Sequence, residues 1–263
     1  MGLAIVACAP LLACVTPEEQ GLTREGQEHA LLQALESVAL RHEAQGQYTK
    51  AAEQFVRLVT QDPNNETYIL GVARNQRRAG APREALSILR RALAENRVDA
   101  TVPIRLEKVR ALLASGLIAD ARQEVSTLRK EAGDTPEVLG LAGLIADRDG
   151  DFTAAQAAYR QALDLTPDNL AIANNLALSL ALSGNLDEAI ALQIRTAGHP
   201  LAAPKIRQNL ALLYALAGNM AEATRITRDT VPSDQVDGVL EDLRRLSGRG
   251  GDAMQSLQDG PAM

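Results

Sequence analysis

Asn175 and Asn209 stand 34 residues apart, each opening a near copy of one phrase, NLALSLALSGNLDEA at 175–189 and NLALLYALAGNMAEA at 209–223. Side-chain amides both donate and accept, so amides beside leucines can read the backbone of a peptide while the leucines take its side chains. A second kind of recognition is offered by Arg74, Arg77 and Arg78, extended by Arg90 and Arg91. These cations suit an acidic partner segment, or equally a solvated face paired with Glu84 and Glu95. Catalytic constellations are harder to find. His29, His42 and His199 fall in separate elements, and no phosphate loop, His-Glu-x-x-His or Gly-x-Ser-x-Gly is present. Glu36 and Glu43, seven apart on one helix face, read as solvated surface, and His42 as a packing residue. The chain is therefore expected to be no enzyme, with no metal, cofactor or small-molecule substrate.

What must position the amides and arginines is helix on helix. The chain has 263 residues, 46% hydrophobic but only 2% aromatic, with no Trp. That balance, rich in Ala and Leu, suits close packing of helices and suits strands poorly, so the fold class expected is all-α. A formal charge of -6 argues against a general affinity for nucleic acid or anionic lipid, although a local basic patch stays open.

The 34-residue spacing runs through most of the chain. Gly116, Gly150, Gly184 and Gly218 follow at steps of 34, and Gly80 and Gly46 continue the series after one step of 36. Five residues after each stands an alanine: Ala51, Ala85, Ala121, Ala155, Ala189 and Ala223. Glycine can adopt the left-handed conformation that ends a helix, and alanine removes bulk where two helices cross. Four residues further come Phe55, Leu89, Val125 and Tyr159, then Gln193 and Thr227, where polar side chains replace the expected apolar ones. The two extra residues lie near ENRVDATVP, which reads as a looser joint between the second and third units.

These glycine and alanine positions resemble the tetratricopeptide repeat, a helix-turn-helix unit that stacks into a right-handed superhelical solenoid. The resemblance implies six units over 30–231, at about 32–65, 66–99, 102–135, 136–169, 170–203 and 204–232. A capping helix is expected at 233–247, begun by Ser233 and burying Val236, Val239, Leu240 and Leu243, with a disordered tail over 248–263. In such repeats the first helix of each unit lines a concave wall. On that mapping the early units present Glu36, Glu43, Arg74, Arg77, Arg78, Glu107 and Arg110, of which Arg74, Arg77, Arg78 and Arg110 form the candidate patch for an acidic partner. The later units present Leu141, Leu144, Asn174, Asn175, Leu178, Leu182, Lys205, Gln208, Asn209, Leu212 and Leu216, the candidate peptide groove. The alternative is structural, with Asn175 and Asn209 bonding the neighbouring repeat and the leucines meeting the cap. The carboxylate clamp of chaperone-binding relatives fits poorly: Asn175 and Lys205 occupy two of its positions, but Gly140 and Leu144 replace its first Lys and Asn, and Gln208 with Asn209 offers no Arg.

The first twenty residues, MGLAIVACAPLLACVTPEEQ, are uncharged and apolar up to Glu18 and too short to span a bilayer as a helix. Leu11-Leu12-Ala13-Cys14 resembles a bacterial lipobox, which implies a signal at 1–13, lipidation of Cys14 and a tether over 14–29; an apolar cap helix over 3–15 is the alternative. This leader, the repeats, and KIRQNLALLYALAGNMAEATRITRDTVPSDQVDGVLEDL at 205–243 together resemble the TadD-type lipoproteins of the tight-adherence (Flp) pilus system. That resemblance implies a non-catalytic scaffold on the periplasmic side of the outer membrane, attached only through its lipid, with the secretin or another pilus component as protein partner. A soluble or envelope adaptor of another complex, cytoplasmic if it lacks the lipid, is the other reading.

Overall fold

The computed structural model describes residues 24–248, so the expected signal, Cys14 and nearly all of the tail lie outside the described residues. Among the described residues there are thirteen helices and no strand. First and second helices alternate in six pairs: α1 (Arg24–Ala44) with α2 (Tyr48–Gln61), α3 (Glu66–Arg78) with α4 (Pro82–Ala94), and α5 (Val102–Ala114) with α6 (Ile118–Ala132). The series continues with α7 (Pro136–Arg148) and α8 (Phe152–Leu165), α9 (Leu170–Leu182) and α10 (Leu186–Ala197), and α11 (Pro204–Leu216) and α12 (Met220–Thr230). A thirteenth helix, α13 (Val236–Gly248), packs on α11 and α12 as the next first helix would.

The turn inside each pair repeats one hydrogen-bond pattern. Gly150 takes φ 76°, its N–H donates to the carbonyl of Asp147 at 3.1 Å, and the N–H of Asp151 reaches back to Ala146 at 2.9 Å. Gly46, Gly80, Gly116, Gly184 and Gly218 repeat this geometry, which satisfies carbonyls that a helix end leaves open. The six alanines that follow are fully buried where the two helices of a pair cross. Side-chain caps start the first helices: Asn65, Thr101, Thr135 and Asn169 each accept from a backbone N–H three residues on. From α3 onward each first helix also touches the first helix of the next unit, whereas successive second helices diverge, so the first helices line the inner wall of the curve.

Four details differ from expectation. α1 begins at Arg24, so part of the expected tether is helical; REGQEH consists mainly of residues with good or tolerable helix propensity and needs no buried face to extend a helix already packed further on. α13 begins at Val236, and Ser233 sits in the preceding turn, where Gln235 N–H bonds the carbonyl of Pro232. Of the expected apolar face, Val236, Leu240 and Leu243 are buried and Val239 is half-buried. The joint at 95–101 is packed: Asn96 adopts φ 53°, Arg97 N–H closes the turn on Ala92, and a core running from Ala39 to Ile145 crosses it unbroken, with Val98 against it. Polar Gln193, Thr196 and Thr227 are buried like their apolar counterparts, because each threonine hydroxyl donates to the carbonyl four residues back.

Candidate functional site

Four of the joints between successive first helices are held by polar links, each of a different kind. Between α1 and α3, Glu43 takes a two-pronged ion pair from Arg74 at 2.7 and 2.9 Å, a bond from Arg78 at 2.8 Å and an amide N–H of Asn75 at 3.2 Å. Burial pushes the Glu43 carboxyl up, but the bonds from Arg74 and Asn75 and the nearby guanidinium charges outweigh it and hold it below the usual range. Arg78 also lies 5.6 Å from the ring centre of Tyr48. Between α3 and α5, Arg77 grips Glu107 at 2.7 and 3.3 Å, and Arg110 approaches the same carboxylate at 3.6 Å. Glu107 is almost completely buried.

Between α7 and α9 the link is a carboxylate held by hydroxyls. Asp147 accepts from Ser179 at 2.5 Å and from Tyr159 of α8 at 2.8 Å. Burial dominates over these two bonds and pushes its pKa up to about 6. Tyr159, fully buried, is itself pushed well above its ordinary value by burial and then by the charge of Asp147. Its ring occupies space left by Gly143, where a Cβ would come within 2.5 Å of it. Between α9 and α11 the link is neutral: Asn174 Oδ1 accepts from Asn209 and from Gln193, both at 2.8 Å, and Gln193 also donates to the carbonyl of Ile206 at 2.8 Å.

These links redraw both candidate surfaces. Asn174 and Asn209 are buried and bonded to one another, so they leave the peptide groove; the same holds for Leu141, which is 4% exposed. The cause is geometric, since a residue one position around the helix from the wall turns into the joint between units. Gln208 donates to the carbonyl of Thr230 at 3.4 Å, at the end of α12. Leu144, Asn175, Leu178, Leu182, Leu212 and Leu216 stay half-buried along α7, α9 and α11, with Lys205 exposed, and form the apolar part of the wall. Arg74, Arg77, Arg78 and Arg110 are paired, but with Glu43 and Glu107 of neighbouring first helices rather than with Glu84 and Glu95. Glu43 is thereby removed from the solvated surface expected of it. His42 bonds Gln47 at 2.7 Å across the first turn instead of packing between helices.

A cleft of about 170 Å³ opens on this wall where α5, α7 and α9 meet, lined by Arg77, Arg110, Leu113, Glu137, Gly140, Leu144 and Asn175 among others. Burial lowers the pKa of the Arg110 guanidinium, against the raising influence of Glu107. Among the described residues no cluster of His, Cys, Asp and Glu could hold a metal ion, and no helix is long and apolar enough to cross a membrane. Asp147, Ser179, Asn75 and Gln193 were not singled out as linking residues from sequence. The available signal was a lone polar residue inside an apolar helical run, as Ser179 is in LALSLAL.

Two family models, each described as Tetratricopeptide repeat, match residues 76–145 and 141–200. The units are tetratricopeptide repeats. A curated relative, the uncharacterized protein y4yS of Sinorhizobium fredii, is 37% identical over 91 residues, 35% of this chain and 48% of its own, so the chain spans about half the length of the curated relative it matches. Among solved structures, the tetratricopeptide solenoid is similar to a chain of the APC/C hetero-tetramer Cut9–Hcn1, with TM-score 0.61, 17% identity, 80% of this chain and 42% of that one. It is also similar to PilW, described as a widely conserved type IV pilus biogenesis factor, with TM-score 0.59, 16% identity, 81% of this chain and 98% of that one. At these identities the likeness is one of fold. Tetratricopeptide proteins mediate protein–protein interaction, and their scaffold is typically non-catalytic.

Proposed function

We propose that this protein is a non-catalytic scaffold that captures a partner segment on its inner wall. The supporting observation is the row of half-buried leucines on α7, α9 and α11, Leu144, Leu178, Leu182, Leu212 and Leu216, which carries no charged side chain on α9 at all. An apolar strip on the concave side of a solenoid suits an extended or helical segment. Binding without turnover suffices for such a role, since holding two components close raises their effective concentration.

The setting proposed is the tight-adherence (Flp) pilus system: a lipoprotein carrying its lipid on Cys14, facing the periplasm from the outer membrane, and assisting assembly or positioning of the secretin. The wording at 205–243 supports this reading, as does the likeness in fold to a pilus biogenesis factor. Photo-crosslinkers placed at Leu178 and Leu212 in the native host test it, with mass spectrometry of the crosslinked partner and of the N-terminal peptide. Crosslinks to the secretin or another pilus component, with acylated Cys14, are expected. Crosslinks to an unrelated complex, with an unmodified Met1, would replace the pilus setting by that of a soluble adaptor.

A further inference from the structure

The loops that join one unit to the next each carry an acid, among them Asp62, Glu95, Asp134, Asp168 and Asp234, with one exception. The exception is 198–203, GHPLAA, between α10 and α11. It lies within a stretch, 189–221, that holds no Asp or Glu but three cations, Arg195, Lys205 and Arg207, in a chain of net charge -6. All three are exposed, and among the described residues none of them makes a hydrogen bond or ion pair. Asp168 and Asp234 of the flanking loops do not pair with them, and Asp229, which shares an outer cleft with Arg207, is engaged by Arg225 at 3.5 Å. Within this loop stands Leu201, 81% exposed, the most exposed large apolar side chain among the described residues. Pro200, Ala203 and Pro204 beside it are exposed as well.

The backbone of the loop is closed on itself. The N–H of Gly198 donates to the carbonyl of Ile194 at 3.0 Å, that of His199 to Thr196 at 3.4 Å and that of Ala202 to His199 at 2.9 Å, while the N–H of Leu201 donates to Nδ1 of His199 at 3.1 Å. Pro200 and Pro204 have no N–H to satisfy, which leaves Ala203 as the one loop residue whose N–H is open.

We infer that this loop is a contact for an anionic lipid surface: Leu201 inserts among the acyl chains while Arg195, Lys205 and Arg207 lie at the level of the phosphates. Hydrocarbon accepts irregular backbone only where its polar groups are satisfied from within, and long cationic side chains can reach back to headgroups from beside an inserted apolar tip. A protein partner would gain from open backbone donors or a broad apolar patch, and this narrow tip offers neither. The net charge of the whole chain repels such a surface, so the absence of acids over 189–221 is what admits the contact. The inference goes beyond the scaffold reading and depends neither on what the inner wall holds nor on acylation of Cys14.

The chain contains no tryptophan, so Leu201→Trp in the full chain gives a reporter confined to the loop tip. With vesicles of phosphatidylcholine and about one third phosphatidylglycerol, its emission should shift to the blue and be quenched by brominated acyl chains. Vesicles of phosphatidylcholine alone should produce neither change. Replacing Arg195, Lys205 or Arg207 by Gln should each raise the lipid concentration for half the shift about fivefold, and added salt should weaken the parent in the same direction. Leu117→Trp, in the turn at the opposite edge of the solenoid, is the control whose emission should not move. A chain that floats with the vesicles while the tryptophan at 201 keeps its emission in water would show other residues holding the lipid, and would overturn the loop contact. Equal shifts with charged and neutral vesicles, or at positions 201 and 117 alike, would overturn it too. Crosslinking from positions 178 and 212 reads the inner wall separately, so none of these results decides the scaffold reading.

Discussion

Units one to three and units four to six share a backbone plan and differ in what joins them. The early joints are ion pairs, Glu43 with Arg74 and Arg78, then Glu107 with Arg77. The later joints are a carboxylate on two hydroxyls and a cluster of neutral amides. A repeat thus fixes where helices cross and leaves the chemistry of each joint free. The two halves consequently answer to different conditions.

The largest contrast should come from Glu107→Ala. It leaves Arg77 in a nearly buried site without its partner, which typically costs about 3–5 kcal/mol. Hydrogen exchange should show the lost protection in α3 and α5 while α9 and α11 keep theirs. Equal loss in both halves would mean that the joints are not independent.

Acidity should drive the halves in opposite directions. The folded pKa of Asp147 is raised from 3.8 to about 6, so its contribution to stability is full below about pH 4 and is lost as pH rises through about 6. The difference across that window is at most about 3 kcal/mol. Glu43 has the opposite sign: its folded pKa is lowered, so its contribution is present above its ordinary value of 4.5 and lost as pH falls through the folded value. Exchange rates corrected for intrinsic pH dependence should show α7 and α9 tightening from pH 7.5 to 5, and Asp147→Asn should flatten that response.

Asn174→Leu should cost about 2 kcal/mol, since it removes the acceptor shared by two buried amides. Its effect in urea unfolding should not change between low and high salt, as the link carries no charge. The smallest effect belongs to the outer surface. Asp120 pairs with Arg90 at 3.5 Å with both side chains more than half exposed, and Asp120→Ala should change stability by less than about 0.5 kcal/mol.

The plan of the fold was legible because it rests on residues with few substitutes. Gly150 can take φ 76° without strain, and Ala155 fits a crossing that tolerates no bulk, so both leave a mark in the sequence at fixed spacing. The wall was legible by face and less so by residue. Leu178 and Leu212 stay half-buried as expected, but Asn174 and Asn209, at equivalent-looking places, turn into the joint; a rotation of a few tens of degrees about a helix axis decides this, and periodicity does not resolve it. The pairing of Arg74 with Glu43 was hidden for another reason. The partners lie 31 residues apart, and nothing in one chain says which of several carboxylates a long arginine will reach.

The differing joints also bear on assembly. Six stacked units with the same turns and the same buried alanines run the risk of slipping by one unit during folding, packing α9 where α11 belongs, at little cost in apolar contact. A slipped stack would set Asn174 and Gln193 against a neighbour with no matching amide, or Glu107 against one with no arginine, and would strand buried polar groups at those joints. Four joints thus carry a key cut for one neighbour, which works against a slipped order in a protein whose parts would otherwise be interchangeable.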